Sequence, residues 1–483
     1  MMKKKLVGLL LIAGLFVSAA CGNGGADTAA PADDGAAAGG GAEAPAAGAD
    51  GPAPVELVFT FWGSPVERTA VESMMAAFTQ VNPHITVDAR HIPADYDVVI
   101  RTMIAGGEAP DAGYLGGQTA LEWAADGVIV DLYQLIAADP HFHIDDFIAP
   151  CFYRTMDGQI VGFNSAMEKF ALFYSIDIFE EEGLPRPPKR VQDAWHWYEM
   201  LDVARTLTRD ANGNNAHDPA FDSDNVVRFG FNVGPWWGPW MNFVLSAGGD
   251  IISDCGNFFT LADSPAVDAL QMVADLIHVH HVNPTPAQRA VVPAPAIALL
   301  TGQVAMTVDG QWVLLDLGEA AVEDGLNFGV GVLPYINEYR TTFIGGATVI
   351  FADSNYIEEA YELLKFTSSP SAYIGIFENG LWMPLLREWY TNDELFVQWA
   401  GPNNPARPYG YDTVFRDPLL MDGIVLPCLE YYLGNMHGVF NILNPALDRA
   451  WLGEVTMREA LEDVRNDIES VMTGRWPGGV WLD

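Results

Sequence analysis

Hydrophobic and polar positions along this chain repeat with two periods, one suited to strands and one to helices. The run VELVFTFW from Val55 to Trp62 is short, apolar and rich in Val and Phe, which predicts a buried strand. Ser64-Pro65-Val66-Glu67 follows with the form of a capping box and Pro at the first helical position, and Val66, Ala70, Met74 and Phe78 mark one helical face. Asn82-Pro83 ends that helix. A second strand is predicted over Ile85 to His91, a helix from about Asp95 to Ile104 stopped by Gly106-Gly107, and a third strand over Ala112 to Leu115. This βαβαβ alternation implies a mostly parallel sheet covered on both faces.

The pattern recurs further on. Phe170 to Tyr174, Val304 to Val308 and Ala347 to Phe351 are strand candidates, and Asp193 to Leu207 and Tyr356 to Phe366 are amphipathic helices. Ser264-Pro265 is expected to cap a helix whose apolar side is Val267, Leu270, Val273 and Ile277, and Thr456-Met457-Arg458-Glu459 is a further capping box. The order of elements makes the protein α/β.

The first twenty residues read differently. Lys3, Lys4 and Lys5 precede an apolar run from Leu6 to Val17, then Ser18-Ala19-Ala20 and Cys21, which has the layout of an export signal. The apolar run is shorter than the roughly 20 residues a spanning helix needs. Cleavage before Cys21 would match the bacterial lipoprotein signal, with Cys21 acylated, although Ser18 stands where that pattern prefers an aliphatic residue. A conventional secretory signal with a chance Cys is the alternative. Of the 33 residues from Gly22 to Pro54, 26 are Gly, Ala or Pro. Such a stretch cannot offset its ordering entropy, so residues 21–54 are expected to be a flexible tether.

Composition narrows the classes. The 483 residues carry 63 acidic and 24 basic side chains, a formal charge of −39. That charge excludes nonspecific attachment to nucleic acid or anionic lipid, both of which need surplus Lys and Arg. Without the first twenty residues only Lys169, Lys189 and Lys365 remain among the lysines, so any membrane attachment would rest on the lipid. Cys151, Cys255 and Cys428 show no CxxC spacing: one disulfide is possible, and buried thiols are the simpler reading. No zinc, iron-sulfur or redox motif is present, and no cofactor is expected.

Several separated motifs resemble one family. FWGSPVE, FTQVNPHITVDARHIP, IAGGEAPDAGYLGG, GVIVDL, YSIDIFEEEGLPRPP, FVLSAGGDII, LLTGQVAMTVDGQW and GGATVIFADSNYIEEAYELLKFTSSP resemble, in order, the bacterial extracellular solute-binding proteins of carbohydrate ABC importers, relatives of maltose-binding protein. The resemblance implies a two-lobed α/β fold of the periplasmic-binding-protein kind, with a hinge and an interlobe ligand cleft. It places residues 55–166 and 307–366 in an N-terminal lobe and 167–306 with 367–483 in a C-terminal lobe. It implies a non-enzymatic, monomeric receptor at the outer face of the cytoplasmic membrane, or in a periplasm, that hands a sugar to a permease.

A pyranose offers apolar C–H faces and a rim of hydroxyls, so its site needs aromatic platforms with donors and acceptors around them. The resemblance carries a sugar-stacking role to Trp312, beside Asp309, and an aromatic contact to Trp237. Trp236, Trp237 and Trp240 lie within five residues, too close for all to face one side of an element, which favours at least one in the cleft. Glu168 matches a ligand-contacting carboxylate, able to accept from two adjacent hydroxyls. The alternatives for it are a solvated Glu or an ion pair with Lys169. Trp62 and Ser64 at the end of the first strand, and Tyr114 and Gln118 after the third, stand where open α/β sheets bind ligands, with helix capping as the other reading of Ser64. Gly346, beside Gly345, would allow close backbone approach, and Trp382 would close the far side. Asp111 is expected to be structural.

Asp210, Asn212, Asn214 and Asp218 have the oxygen-rich spacing of a calcium loop but depart from the EF-hand pattern, and a loop of Asx turns is the simpler reading. A secreted carbohydrate hydrolase would share the aromatic cleft and carboxylates but requires two positioned carboxyls. A surface receptor for a sensor protein would differ only in its partner.

Overall fold

The computed structural model describes residues 52–148, 151–164, 167–401, 404 and 406–477. The expected targeting segment, Cys21 and nearly all of the expected tether lie outside the described residues.

Strands β1 (Val55–Phe61), β2 (Ile85–His91) and β3 (Ala112–Leu115) form where the apolar runs predict them. Helix α1 (Pro65–Val81) begins at Ser64, whose hydroxyl accepts from the Glu67 N–H, and it buries Val71, Met74, Met75 and Phe78 against the sheet. Helix α2 (Tyr96–Ala105) joins β2 to β3, and α3 (Gly117–Ala125) follows β3. β1 pairs in parallel with β2 and β3, as the alternation requires. The rest of this sheet is not parallel. β4 (Phe152–Arg154), β5 (Ile160–Asn164) and β13 (Ala347–Ile350) complete the order β2-β1-β3-β13-β5-β4, with β13 antiparallel to both β3 and β5. The expectation of a mostly parallel sheet fails because β13 comes from far along the chain and enters from the opposite end.

A second sheet is built around β6 (Glu168–Ser175), buried throughout except at Glu168. β10 (Met306–Gly310) pairs along one edge of β6, while β11 (Phe328–Gly331) and β12 (Thr341–Ile344) share the other. β9 (Asn232–Val233) and β14 (Val425–Pro427) finish the order β14-β12-β6-β10-β9, and β7 (Arg209–Asp210) with β8 (Val226–Arg228) forms a separate ribbon. β10, β11 and β12, most of whose residues fall in the 307–366 stretch expected in the N-terminal lobe, therefore pair in the second sheet. Their hydrogen bonds go to β6, which leaves only β13 to return to the first.

The chain thus changes sheet between Asn164 and Glu168, again between Ile344 and Ala347, and a third time between Ile350 and Val425. Gly346 is needed at the second passage: a Cβ there would lie 2.7 Å from the Trp62 ring.

Two local expectations change. The helix Ala266–His278 has no side-chain cap, because Ser264 Oγ instead accepts from the Arg458 guanidinium. The Thr456 capping box does form, with reciprocal bonds to Glu459. Cys151 and Cys428 are buried, Cys255 is exposed, and none of the three is in a disulfide.

The Asp210 loop is organised by its own backbone. The Asp210 carboxylate accepts from the N–H groups of Asn212, Asn214 and Asp222 and from the Asn214 amide at 2.8 to 3.0 Å, and Asp218 accepts from Ala220. Among the described residues no three His, Cys, Asp or Glu side chains are grouped to hold a metal ion. Burial would raise the Asp210 carboxyl, but these donors outweigh it and hold it at about 2. The bonds therefore stabilise the fold above the ordinary Asp range, and that contribution is lost as pH falls through about 2. Asp210→Asn should lower the urea midpoint at pH 6, with the gap to wild type closing between pH 4 and pH 2.

Candidate functional site

Where the chain changes sheet, residues from six segments enclose a cavity of about 60 Å³. Trp62 follows β1, Glu67 lies in the first turn of α1, Tyr114 is on β3, Glu168 opens β6, Gly345 and Gly346 form the second passage, and Trp382 comes from a distant loop. The rings form a walled corner: Trp62 to Tyr114 is 5.1 Å at 62°, Trp62 to Tyr96 5.1 Å at 86°, and Tyr114 to Trp382 6.1 Å. Tyr114 is 5% exposed, and its hydroxyl has no hydrogen-bond partner among the described residues. A buried hydroxyl left unpaired is costly, and such atoms commonly mark a ligand position.

Burial raises both carboxyls here. Glu67 is pushed up to about 7, with Asp316 adding to the rise and a Ser64 backbone hydrogen bond opposing it. Glu168 stands well above the usual carboxylate range, through burial and then the neighbouring Glu67. Glu168 does not pair with Lys169. Successive strand residues point to opposite faces, and the Lys169 ammonium donates to the Phe170 carbonyl at 3.2 Å and sits 5.4 Å from the Phe415 ring. Burial lowers that ammonium to about 7.

A larger, more open recess of about 440 Å³ adjoins, and Trp62 is a wall of both. The first-sheet side supplies Asp97, Gly116, Gln118 and Thr119; the other side supplies Trp237, Glu430, His437, Phe440, Asn441 and Asn444. Gln118 is buried with its carbonyl oxygen unpaired among the described residues. Across the recess the Gly117 N–H donates to Glu430 at 3.0 Å, and His437 Nε2 lies 3.2 Å from Thr119 Oγ1, which donates to Asp97. Glu430 is raised by burial against the pull of the Gly117 N–H.

The remaining candidates fall elsewhere. Trp236 and Trp312 line neither cavity but pack with Phe170, at 5.7 and 5.6 Å, and with each other at 6.2 Å. Trp236 also braces Trp237 at 5.4 Å. Trp240 is fully buried, donating to the Pro235 carbonyl. Ser64 caps α1. Asp309 accepts from the Gly310 N–H and is raised to about 6 by burial. Gly346 makes room for Trp62. Asp111 bonds the Val58 N–H and the Ser354 hydroxyl, a structural role.

Glu67 was legible in the sequence only as part of the capping box. Glu430, His437, Phe440, Asn441 and Asn444 carry no motif, and only tertiary folding brings them to Gln118.

Two sheets joined by short passages, with a cavity at the junction, define the two-lobed solute-receptor class of α/β proteins. Comparison agrees. The sequence profile of the bacterial extracellular solute-binding protein family matches residues 73–399, and the chain belongs to that family. Binding proteins of Brucella abortus and Brucella suis are each 22% identical over 324 residues, covering 66% of this chain and 72% of theirs. Among solved structures, an ABC substrate-binding protein from Listeria monocytogenes in complex with cycloalternan superposes with a TM-score of 0.72 at 21% identity, covering 86% of this chain and 98% of that one. The sugar-binding protein MalE from Xanthomonas citri gives 0.67 at 18% identity, covering 86% and 97%. No described helix is long and apolar enough to cross a membrane.

The raised Glu67 carboxyl has a stability consequence. Between the ordinary carboxylate range and about pH 7 the folded state holds a proton that the unfolded state has lost, so stability falls as pH rises through that window. Glu67→Gln removes the penalty. It should be more stable than wild type at pH 8, by at most about 3 kcal/mol, with the difference vanishing below pH 4 in paired urea titrations.

Proposed function

We propose that this protein captures a sugar in the recess between its two lobes and delivers it to an ABC importer. The observation that carries the reading is the recess itself. The Trp62 and Trp237 rings face one space with the amides of Gln118, Asn441 and Asn444, which supplies aromatic platforms and hydroxyl partners together. Its volume lies within the roughly 300–1,000 Å³ of small-molecule sites. The cycloalternan bound by the Listeria protein and the description of the Xanthomonas protein as sugar-binding support the class of ligand.

The lobes follow the sheets: one carries β1 to β5 and β13, the other β6, β9 to β12 and β14. Closure brings Glu430 onto the N-terminus of α3 and His437 onto Thr119, so occupancy becomes geometry that a permease can read. Cys21 carries a lipid, residues 22–54 are the tether, and the receptor acts as a monomer without catalysis at the outer face of the cytoplasmic membrane. The Trp236–Trp312–Phe170 cluster braces Trp237 through Trp236.

Calorimetry with a panel of mono- and oligosaccharides tests the reading. At least one should bind in the micromolar range or tighter with no product formed on prolonged incubation; product formation would instead make the protein a hydrolase. Trp62→Ala and Trp237→Ala should each weaken the best ligand by about ten- to a hundredfold, in proportion to the roughly 1–3 kcal/mol of a lost aromatic contact.

A further inference from the structure

The small cavity beside the recess is unlike a site for hydroxyls alone. Glu67 and Glu168 both line it, and neither is in an ion pair among the described residues. Among the described residues no Lys, Arg or His lines it. The groups that bear on the two carboxyls are acids and phenols: Asp316 on Glu67, Glu67 on Glu168, and Tyr114, with Tyr96 beside it. The nearest cation in sequence, Lys169, points to the other face of β6 and is bonded to the Phe170 carbonyl. Two half-buried carboxyls thus share this cavity with no counter-ion among the described residues, and the Tyr114 hydroxyl that lines it with them has no partner there.

Size and walls point the same way. At about 60 Å³, against about 440 Å³ for the adjoining recess, the cavity suits a single small polar head group while the recess suits a ring. Trp62, Tyr114 and Trp382 supply the sides, and aromatic faces attract a cation.

We propose that the ligand is an amino sugar, its protonated amine held between Glu67 and Glu168 in the cage of Trp62, Tyr114 and Trp382, and its ring in the adjoining recess. This rests on the sugar-receptor reading and names the substrate class of the same site. The ammonium donates to one carboxylate, to the carbonyl oxygen of the other carboxyl, which keeps its proton, and to the Tyr114 oxygen. A carboxyl protonated in the empty cavity gives its proton to solvent as the ammonium enters, so one positive charge replaces another and no bond to the ligand is made or broken.

The test is calorimetry of the full-length receptor with glucosamine oligosaccharides, their N-acetylated forms and the matching glucose oligosaccharides, each in two buffers of different ionisation heat. A 6-amino sugar series is added so that amine position is sampled. The expected result is at least tenfold tighter binding of an amine-bearing ligand than of its acetylated and neutral counterparts. It should come with net proton release near pH 6 and affinity rising from pH 5 to pH 7. Glu67→Gln and Glu168→Gln should each reduce that preference at least tenfold and diminish the proton release. Neutral or acetylated sugars binding as tightly, without proton release, would overturn the amine assignment and leave the sugar receptor standing. Failure of every saccharide to bind would overturn both.

Discussion

The structure depends on one constraint: two of the three connections between its sheets are only two or three residues long, at Asn164 to Glu168 and at Ile344 to Ala347, while the third runs from β13 to β14. Short passages hold the strand ends β3, β5, β6, β12 and β13 close together. The first residue of β6 pairs with the last of β12, Glu168 with Ile344, while Ala347 of β13 pairs with Leu115 and Asn164. Everything at the site is a neighbour of these pairs. Glu168 is at the cavity because it opens β6, Tyr114 because it precedes Leu115, and Trp62 because Gly346 leaves its ring a place to lie.

Buried charge at such a junction is expensive. Removing a carboxylate from water without a partner costs several kcal/mol, so the empty site answers by holding protons, and the rise of Glu67 and Glu168 follows. A fold stabilised for its own sake would fill this space with apolar side chains. The rest of the core does so: Leu57, Phe59 and Phe61 on β1 are fully buried, as is Trp240. Instead the cavity retains two acids and an unpaired Tyr114 phenol, and the adjoining recess an unpaired Gln118 oxygen, among the described residues. The strongly acidic composition is a separate matter, since most of the described ion pairs engage exposed side chains on the surface.

The recess adds a means of reporting its state. Glu430 on the α3 N-terminus and His437 on Thr119 are bonds between groups of opposite sides, and they exist only while those sides approach. A carboxylate at a helix N-terminus is favoured by the orphan N–H groups and the helix dipole, yet Glu430 is also raised by burial.

Local chemistry was legible in the sequence. β1 to β3, the Ser64 and Thr456 caps and the class of protein follow from periodicity, capping residues and the order of motifs, because each depends on residues within a few positions of one another. Trp62, Tyr114, Glu168, Gly346 and Trp382 could be singled out, but not that they enclose one cavity with Glu67. Pairing was not legible: strands 307–344 join β6 because hydrogen bonds along its two edges were open to them, which no local pattern encodes. Nor was the division among the tryptophans, with Trp237 at the recess, Trp236 and Trp312 packed on Phe170, and Trp240 in the core. Sequence decided which side chains were available and what each could do. Tertiary structure alone decided which acids lost their water and their counter-ions, because burial and distance are properties of the packed chain.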